Sequence, residues 1–129
     1  SFHNNQNAIF MDNLNLTRIG QIIFAIPFLV FALFHFMGAD AMAGMVPLPG
    51  GAIWVYLTGL AQVLFFVSVV MRKKTRLAAL LLALMLLIFI LAIHLPGAMG
   101  GDQAATGNLL KDLGLIGGAL MLANQFGND

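Results

Sequence analysis

AIWVYLTGLAQVLFFVSVVM, RKKTR and LAALLLALMLLIFILAIHL follow one another over Ala52–Leu95, and this stretch decides how the rest of the chain is read. The two apolar runs, Ala52–Met71 and Leu77–Leu95, contain no Asp, Glu, Lys or Arg. The five residues between them, Arg72-Lys73-Lys74-Thr75-Arg76, hold four of the six basic residues of the chain. A helix rises about 1.5 Å per residue, so about 20 apolar residues cross a hydrocarbon core of about 30 Å. Each run is long enough to cross, and the basic stretch is the turn between them. Cytoplasmic loops carry an excess of Lys and Arg, so this turn is expected inside.

Outward from this hairpin the pattern repeats. Ile19–Gly38 is another run free of charge, and Leu109–Phe126 is a weaker one with Lys111 and Asp112 in its first turn. Spans are therefore expected at 17–38, 52–71, 77–95 and 109–126. Gly and Pro punctuate the other connections, Val46-Pro47-Leu48-Pro49-Gly50-Gly51 and Pro96-Gly97-Ala98-Met99-Gly100-Gly101. Ala39–Met45 is compatible with a short helix that the Pro47–Pro49 stretch would stop. Arg18 falls inside with the basic turn, and only Lys111 falls outside, so both termini are expected in the cytoplasm. Trp54 and Tyr56 then sit at the outer interface, where amphipathic rings collect. The expected fold is all-α: a polytopic membrane protein, an antiparallel four-helix transmembrane bundle, multi-pass in the cell's inner (plasma) membrane.

Composition supports lipid as the solvent. Hydrophobic residues make up 60% of the 129 and charged residues 9%, against about 25% charged in a soluble domain. The net charge of +1 decides nothing about nucleic acid, but the lack of a basic patch interleaved with aromatics excludes it as a partner. Without cysteine there is no disulfide, thiolate metal site or thiol relay in the chain. Residues 1–10 are a polar, Asn-rich tail that lacks the basic and apolar regions of a signal peptide, and Met11 is a candidate natural start. Residues 11–129 are expected to form a single domain.

Lipid cannot hydrogen-bond polar side chains, so polar and small residues mark the inward faces. The stripes at spacings of three and four are Gln21, Ala25, Phe28, Ala32 and His35; Thr58, Gln62, Phe65 and Val69; Leu80, Ala83, Leu87, Ile90 and His94; and Lys111, Gly114, Gly118, Met121 and Gln125. Gly114 and Gly118 form a small-xxx-small pair, suited to packing within the bundle or to a homo-oligomer face. Pro27 should free the carbonyl of Ile23 and bend the first span.

Antiparallel spans bring His35, His94, Lys111, Asp112, Asp40 and Asp102 to the outer side, with Gln62 deeper. These groups can simply satisfy one another at the membrane boundary. Alternatively His35, His94 and Lys111 supply donors to the head group of a quinone, whose tail needs an apolar slot. Lys111 and Asp112 are sequence neighbours and are expected to point apart, with Lys111 reaching towards Asp102 or the headgroups. Met37, Met42, Met45 and Met99 beside the histidines suit Cu(I), but no His-x-His spacing occurs. Axial haem ligation by His35 and His94 lacks a second histidine pair. No resident metal is expected.

Pro49-Gly50-Gly51, Leu57-Thr58-Gly59-Leu60-Ala61-Gln62, Arg76-Leu77-Ala78-Ala79-Leu80-Leu81-Leu82-Ala83-Leu84, His94 and Asn108-Leu109-Leu110-Lys111-Asp112-Leu113-Gly114-Leu115-Ile116-Gly117-Gly118-Ala119-Leu120 together resemble the DoxX family, over about Leu16–Ala123. The resemblance implies a four-span bacterial or archaeal membrane protein. The family takes its name from a relative of the membrane subunit of thiosulfate:quinone oxidoreductase, and some members are linked to redox or oxidative-stress systems. Members often carry an acidic residue where this chain has Gln62 and a lysine where it has His35. The function expected is a redox-associated, quinone-linked accessory subunit with a redox partner protein, its cofactor-binding residues being His35, Gln62, His94 and Lys111. The alternatives are a non-catalytic scaffold or oligomeric component, and a small-solute permease.

Overall fold

The computed structural model describes the backbone of residues 2–47 and 49–127, with side chains from Leu16 onward. Among these residues every regular element is helical: α1 (Phe2–Met37), α2 (Ala39–Ala43), α3 (Ala52–Met71), α4 (Thr75–Phe89), a π-turn (Ile90–His94), α5 (Leu95–Met99) and α6 (Gln103–Gln125). Three helical stretches are long and apolar enough to cross a membrane: Leu16–Met37, Ala52–Met71 and Thr75–Met99, of 22, 20 and 25 residues. Their apolar surface faces outward. Ile23 is 61% exposed and Leu91 57%, and exposed Leu, Ile and Phe residues recur along all three. Water would not tolerate such a belt, whereas lipid does; this is a membrane protein.

Helix α1 runs uninterrupted through Pro27, whose ring lies on the exposed face. α4, the π-turn and α5 form one rod. Its widened turn follows from Pro96, which cannot donate to the carbonyl of Ala92 and whose ring crowds that oxygen. The turn between α3 and α4 is tight. Arg72 and Lys74 adopt left-handed conformations with φ 55° and 56°, and the fully buried Thr75 donates from Oγ1 to Ser68 O at 2.8 Å.

Helix α1 packs chiefly on α3, and α4 on α6, each pair antiparallel. At the end that carries the basic turn, each pair is tied internally by an arginine. There Arg18 donates to Val69 O and Val70 O, both at 2.8 Å, and Arg76 donates to Ala123 O at 3.3 Å. Arg18 satisfies carbonyls that the last turn of α3 leaves open, while Ala123 O accepts from Arg76 in addition to Phe126 N. Gln21 Nε2 donates to Gln125 Oε1 at 2.9 Å, tying α1 to α6. Above them Phe65 stands edge-on to Phe24 and Phe28, which are tilted against each other, at centroid separations of 5.2–6.1 Å.

The expected inward faces hold on the first two spans: Gln21, Ala25, Phe28, Ala32, Gln62, Phe65 and Val69 are all buried. On the last two they hold in part: Ala83 and Ile90 are buried as expected, and the other buried positions are shifted by about one residue. Leu80, Leu87 and Met121 are exposed, and the buried positions are Ala79, Leu82, Ala83, Leu86 and Ile90 on the rod and Ala105, Asp112, Ala119, Leu122 and Ala123 on α6. Alanines dominate this interface because lipid tails are as apolar as leucine, so close backbone approach decides which face packs.

Gly118 is packed within the chain, whereas Gly114 has open space over its Cα. A Cβ on Gly118 would lie 2.5 Å from Phe24 Cε1, and that ring is held by Phe28 and Phe65. Gly118→Val is therefore expected to destabilise the chain by about 1–3 kcal/mol through overpacking. Gly117→Val, where nothing lies within 4 Å, should leave stability unchanged. Unfolding midpoints in detergent compare the two directly.

Candidate functional site: a cleft with a histidine–aspartate pair

At the end opposite the basic turn the two helix pairs diverge around a cleft of about 550 Å³. Phe28 and Gln62 lie at its inner end, and Met42, Met45, Val46 and Pro47 lie at its mouth. One rim is formed by Leu81, Leu84 and Ile88 on the exposed face of α4, so the cleft opens sideways as well as at the loops. The walls are mainly apolar, and a few polar groups converge on them, which is the usual build of a small-molecule site.

All four residues singled out from the sequence, His35, Gln62, His94 and Lys111, line this cleft. His35 is brought in by the close crossing of α1 and α3. A Cβ on Gly59 would stand 3.2 Å from His35 Cβ and 3.0 Å from Phe36 Cε1, so a larger residue would need α1's side chains to give by a few tenths of an ångström. His35 Nδ1 lies 2.6 Å from Phe31 O, one turn back. Gln62 is 3% exposed, and its Oε1 has no hydrogen-bond partner among the described residues. His94 closes the π-turn and meets α6, where its Nε2 is 3.0 Å from Asp112 Oδ2. π-Turns of this kind are frequent at functional sites.

Asp112 is the residue that sequence reasoning missed. It is 3% exposed, the most buried charged side chain described, and it lies against both His94 and Lys111. The expectation that Lys111 and Asp112 point apart is corrected. Lys111 Nζ is 3.6 Å from Asp112 Oδ1 and 5.1 Å from the centre of the Phe31 ring, so it folds back across the cleft towards α1. Asp102 is not its partner: that carboxylate caps α6, accepting from Ala104 N at 2.9 Å and Ala105 N at 3.3 Å. A signal for Asp112 was present in the heptad Ala105, Asp112, Ala119, which places it on the small-residue face rather than beside the exposed Gly114.

Of the outer methionines, Met42 and Met45 line the cleft, while Met37 and Met99 are more than three-quarters exposed (84% and 80%) and lie away from it. Trp54, the single tryptophan, also lines the cleft, and its Nε1 donates to Pro49 O at 2.8 Å. Comparison of the chain with protein-family models, with curated proteins and with solved structures yields no match.

Proposed function

We propose that this chain is a multi-pass protein of the cell's inner membrane, with four antiparallel spans and both termini cytoplasmic. In this reading it serves a redox partner protein by holding a lipid-soluble quinone-type molecule in the cleft. The observation that carries it is the cleft: about 550 Å³, mainly apolar, with His35, Gln62, His94, Lys111 and Asp112 converging on it. A quinone head group is a flat apolar ring with polar atoms at its poles, and its tail must leave into lipid. The sideways opening beside Leu81, Leu84 and Ile88 offers such an exit. The basic residues Arg18, Arg72, Lys73, Lys74 and Arg76 lie at the opposite end, which puts the cleft on the outer side by the excess of positive charge inside. Helix α6 serves as the fourth span although it is less apolar, because its polar residues Asp112 and Gln125 are paired with other helices. The resemblance to the DoxX family supports the four-span topology and the redox link, with Gln62 and His35 as departures from the family pattern.

The test is ligand binding in lipid nanodiscs, read by quenching of Trp54. Quinone-type ligands should quench saturably, and His35→Ala and His94→Ala should each weaken binding about tenfold, or about 1.4 kcal/mol. If no quinone-type ligand quenches and none co-purifies, the reading fails. A permease is the second reading, favoured by the way the cleft is open at the loops and shut at the basic end by Phe24, Phe28, Phe65 and the Gln21–Gln125 bond. If the wild-type chain gives no solute flux into liposomes under any gradient, this second reading is dismissed.

A further inference from the structure

The basic side chains at the end of the molecule that carries the α3–α4 turn divide into two kinds. Arg18 and Arg76 are spent within the chain, on Val69 O and Val70 O and on Ala123 O. Arg72, Lys73 and Lys74 are exposed, and their side chains make no hydrogen bond or ion pair among the described residues. The acidic side chains described, Asp40, Asp102 and Asp112, all belong to the opposite end. Lys74 also stands at the N-terminus of α4, the positive end of that helix's dipole. The backbone there adds to the charge and does not cancel it.

The three cations are held in place. Ser68 O accepts from Arg72 N, from Lys73 N at 3.1 Å and from Thr75 Oγ1 at 2.8 Å. Arg72 and Lys74 are both left-handed, and Ala78 N opens the α4 ladder on Lys74 O at 2.9 Å. The turn is also too short to carry its side chains away from the membrane. Exposed Val70 and Met71 end α3 on one side, and exposed Leu77 starts the apolar surface of α4 on the other. The cations therefore stand at the edge of the apolar belt, where hydrocarbon gives way to head groups. Three like charges on consecutive residues repel one another until a counter-charge meets them.

We propose that Arg72, Lys73 and Lys74 form a site for the head group of an anionic phospholipid. A zwitterionic head group carries a cation beside its phosphate and would bring that cation against the lysines. An anionic head group, such as that of phosphatidylglycerol, brings only the counter-charge. A basic residue beside an anionic lipid surface strengthens association roughly fivefold. The site rests on the apolar belt and the turn, so it stands whatever the cleft holds.

The experiment uses the full chain in dodecyl maltoside micelles. Phosphatidylglycerol and phosphatidylcholine of equal chain length are added together, and native mass spectrometry in ammonium acetate reads the bound lipid. Phosphatidylglycerol should be preferred at least tenfold. The preference should shrink several-fold when the salt is raised to about 1 M, where the Debye length is about 3 Å. The combined variant Arg72→Asn, Lys73→Gln and Lys74→Asn should abolish the preference. Asn tolerates the left-handed conformation, and the replaced side chains hold no neighbour, so the unfolding midpoint in the same micelles should stay at the wild-type value. If that variant does not fold, Lys73→Gln, at a position without positive φ, should alone reduce the preference several-fold. Equal binding of the two lipids overturns the proposal. A preference that survives both high salt and neutralisation of the turn overturns the assignment to these residues. Displacement of the lipid by glycerol phosphate at the same concentration would make the turn a site for soluble phosphate and overturn the lipid assignment.

Discussion

Phe28→Ala is expected to lower stability by about 3 kcal/mol and to deepen the cleft in the same step. The ring is fully buried, and it stands edge-on to Phe65 at 5.2 Å and to Phe31 at 6.1 Å. It also lines the cleft, so it is the partition between the 550 Å³ space and the packed half of the molecule. Removing it leaves no neighbour able to close the gap, because Phe24 is held by Gly118 and Phe65. In water such a change costs about 3–5 kcal/mol. In lipid the transfer part shrinks, since tails are as apolar as the ring, and the lost dispersion contacts remain. That argument selects the low end of the range. Phe28→Leu refills most of the volume and should cost less than about 1.5 kcal/mol. Unfolding in mixed detergent micelles measures both, and a wild-type midpoint for Phe28→Ala would show that the partition is not packed.

Much of this was legible before any coordinates. Ala52–Met71 reads identically from sequence and structure because its ends are chemical: Gly51 on one side and Arg72 on the other. The first inward stripe was legible too, since Gln21, Ala25, Phe28 and Ala32 differ sharply from the Ile, Leu and Val around them. On the third span that contrast fails. Leu is placed almost all round Leu77–Leu95, and lipid rewards it equally on every face, so only Ala79 and Ala83 mark the seam. On α6 the charged pair misled by position. Lys111 has a long side chain and can lie half-exposed while its neighbour is buried, so the short side chain of Asp112, not the long one, marks the inward direction. The π-turn is legible only in retrospect, through Pro96. The convergence of His35, His94 and Lys111 followed from depth alone, because antiparallel helices bring residues at matched heights together, and Gln62 extends the cleft deeper. What depth does not give is which nitrogen of each ring is already occupied, and that is set by Phe31 O and Asp112.

Asp112→Ala should destabilise the chain by about 1.5–3 kcal/mol, the range for a hydrogen bond to a charged group left unmade. Two contacts are lost, and their weights differ. Lys111 is 3.6 Å away with its side chain 49% exposed, so its pairing contributes about 0–1 kcal/mol. The His94 contact is 3.0 Å long with both side chains largely buried, 13% and 4% exposed, and dominates. Asp112→Asn separates the two. The amide oxygen still accepts from His94 Nε2 while the charge facing Lys111 is gone, so its cost should stay under about 1 kcal/mol. Binding should follow the histidine rather than the lysine. Without the carboxylate, His94 is no longer held with its hydrogen on Nε2, and the ring can turn a donor towards the cleft. Asp112→Ala is therefore expected to change ligand affinity in the cleft, and Asp112→Asn to leave it close to wild type. Thermal midpoints and Trp54 quenching on the two variants give four values. Equal losses for Ala and Asn in both measurements would mean that the charge next to Lys111, and not the bond to His94, is what Asp112 supplies.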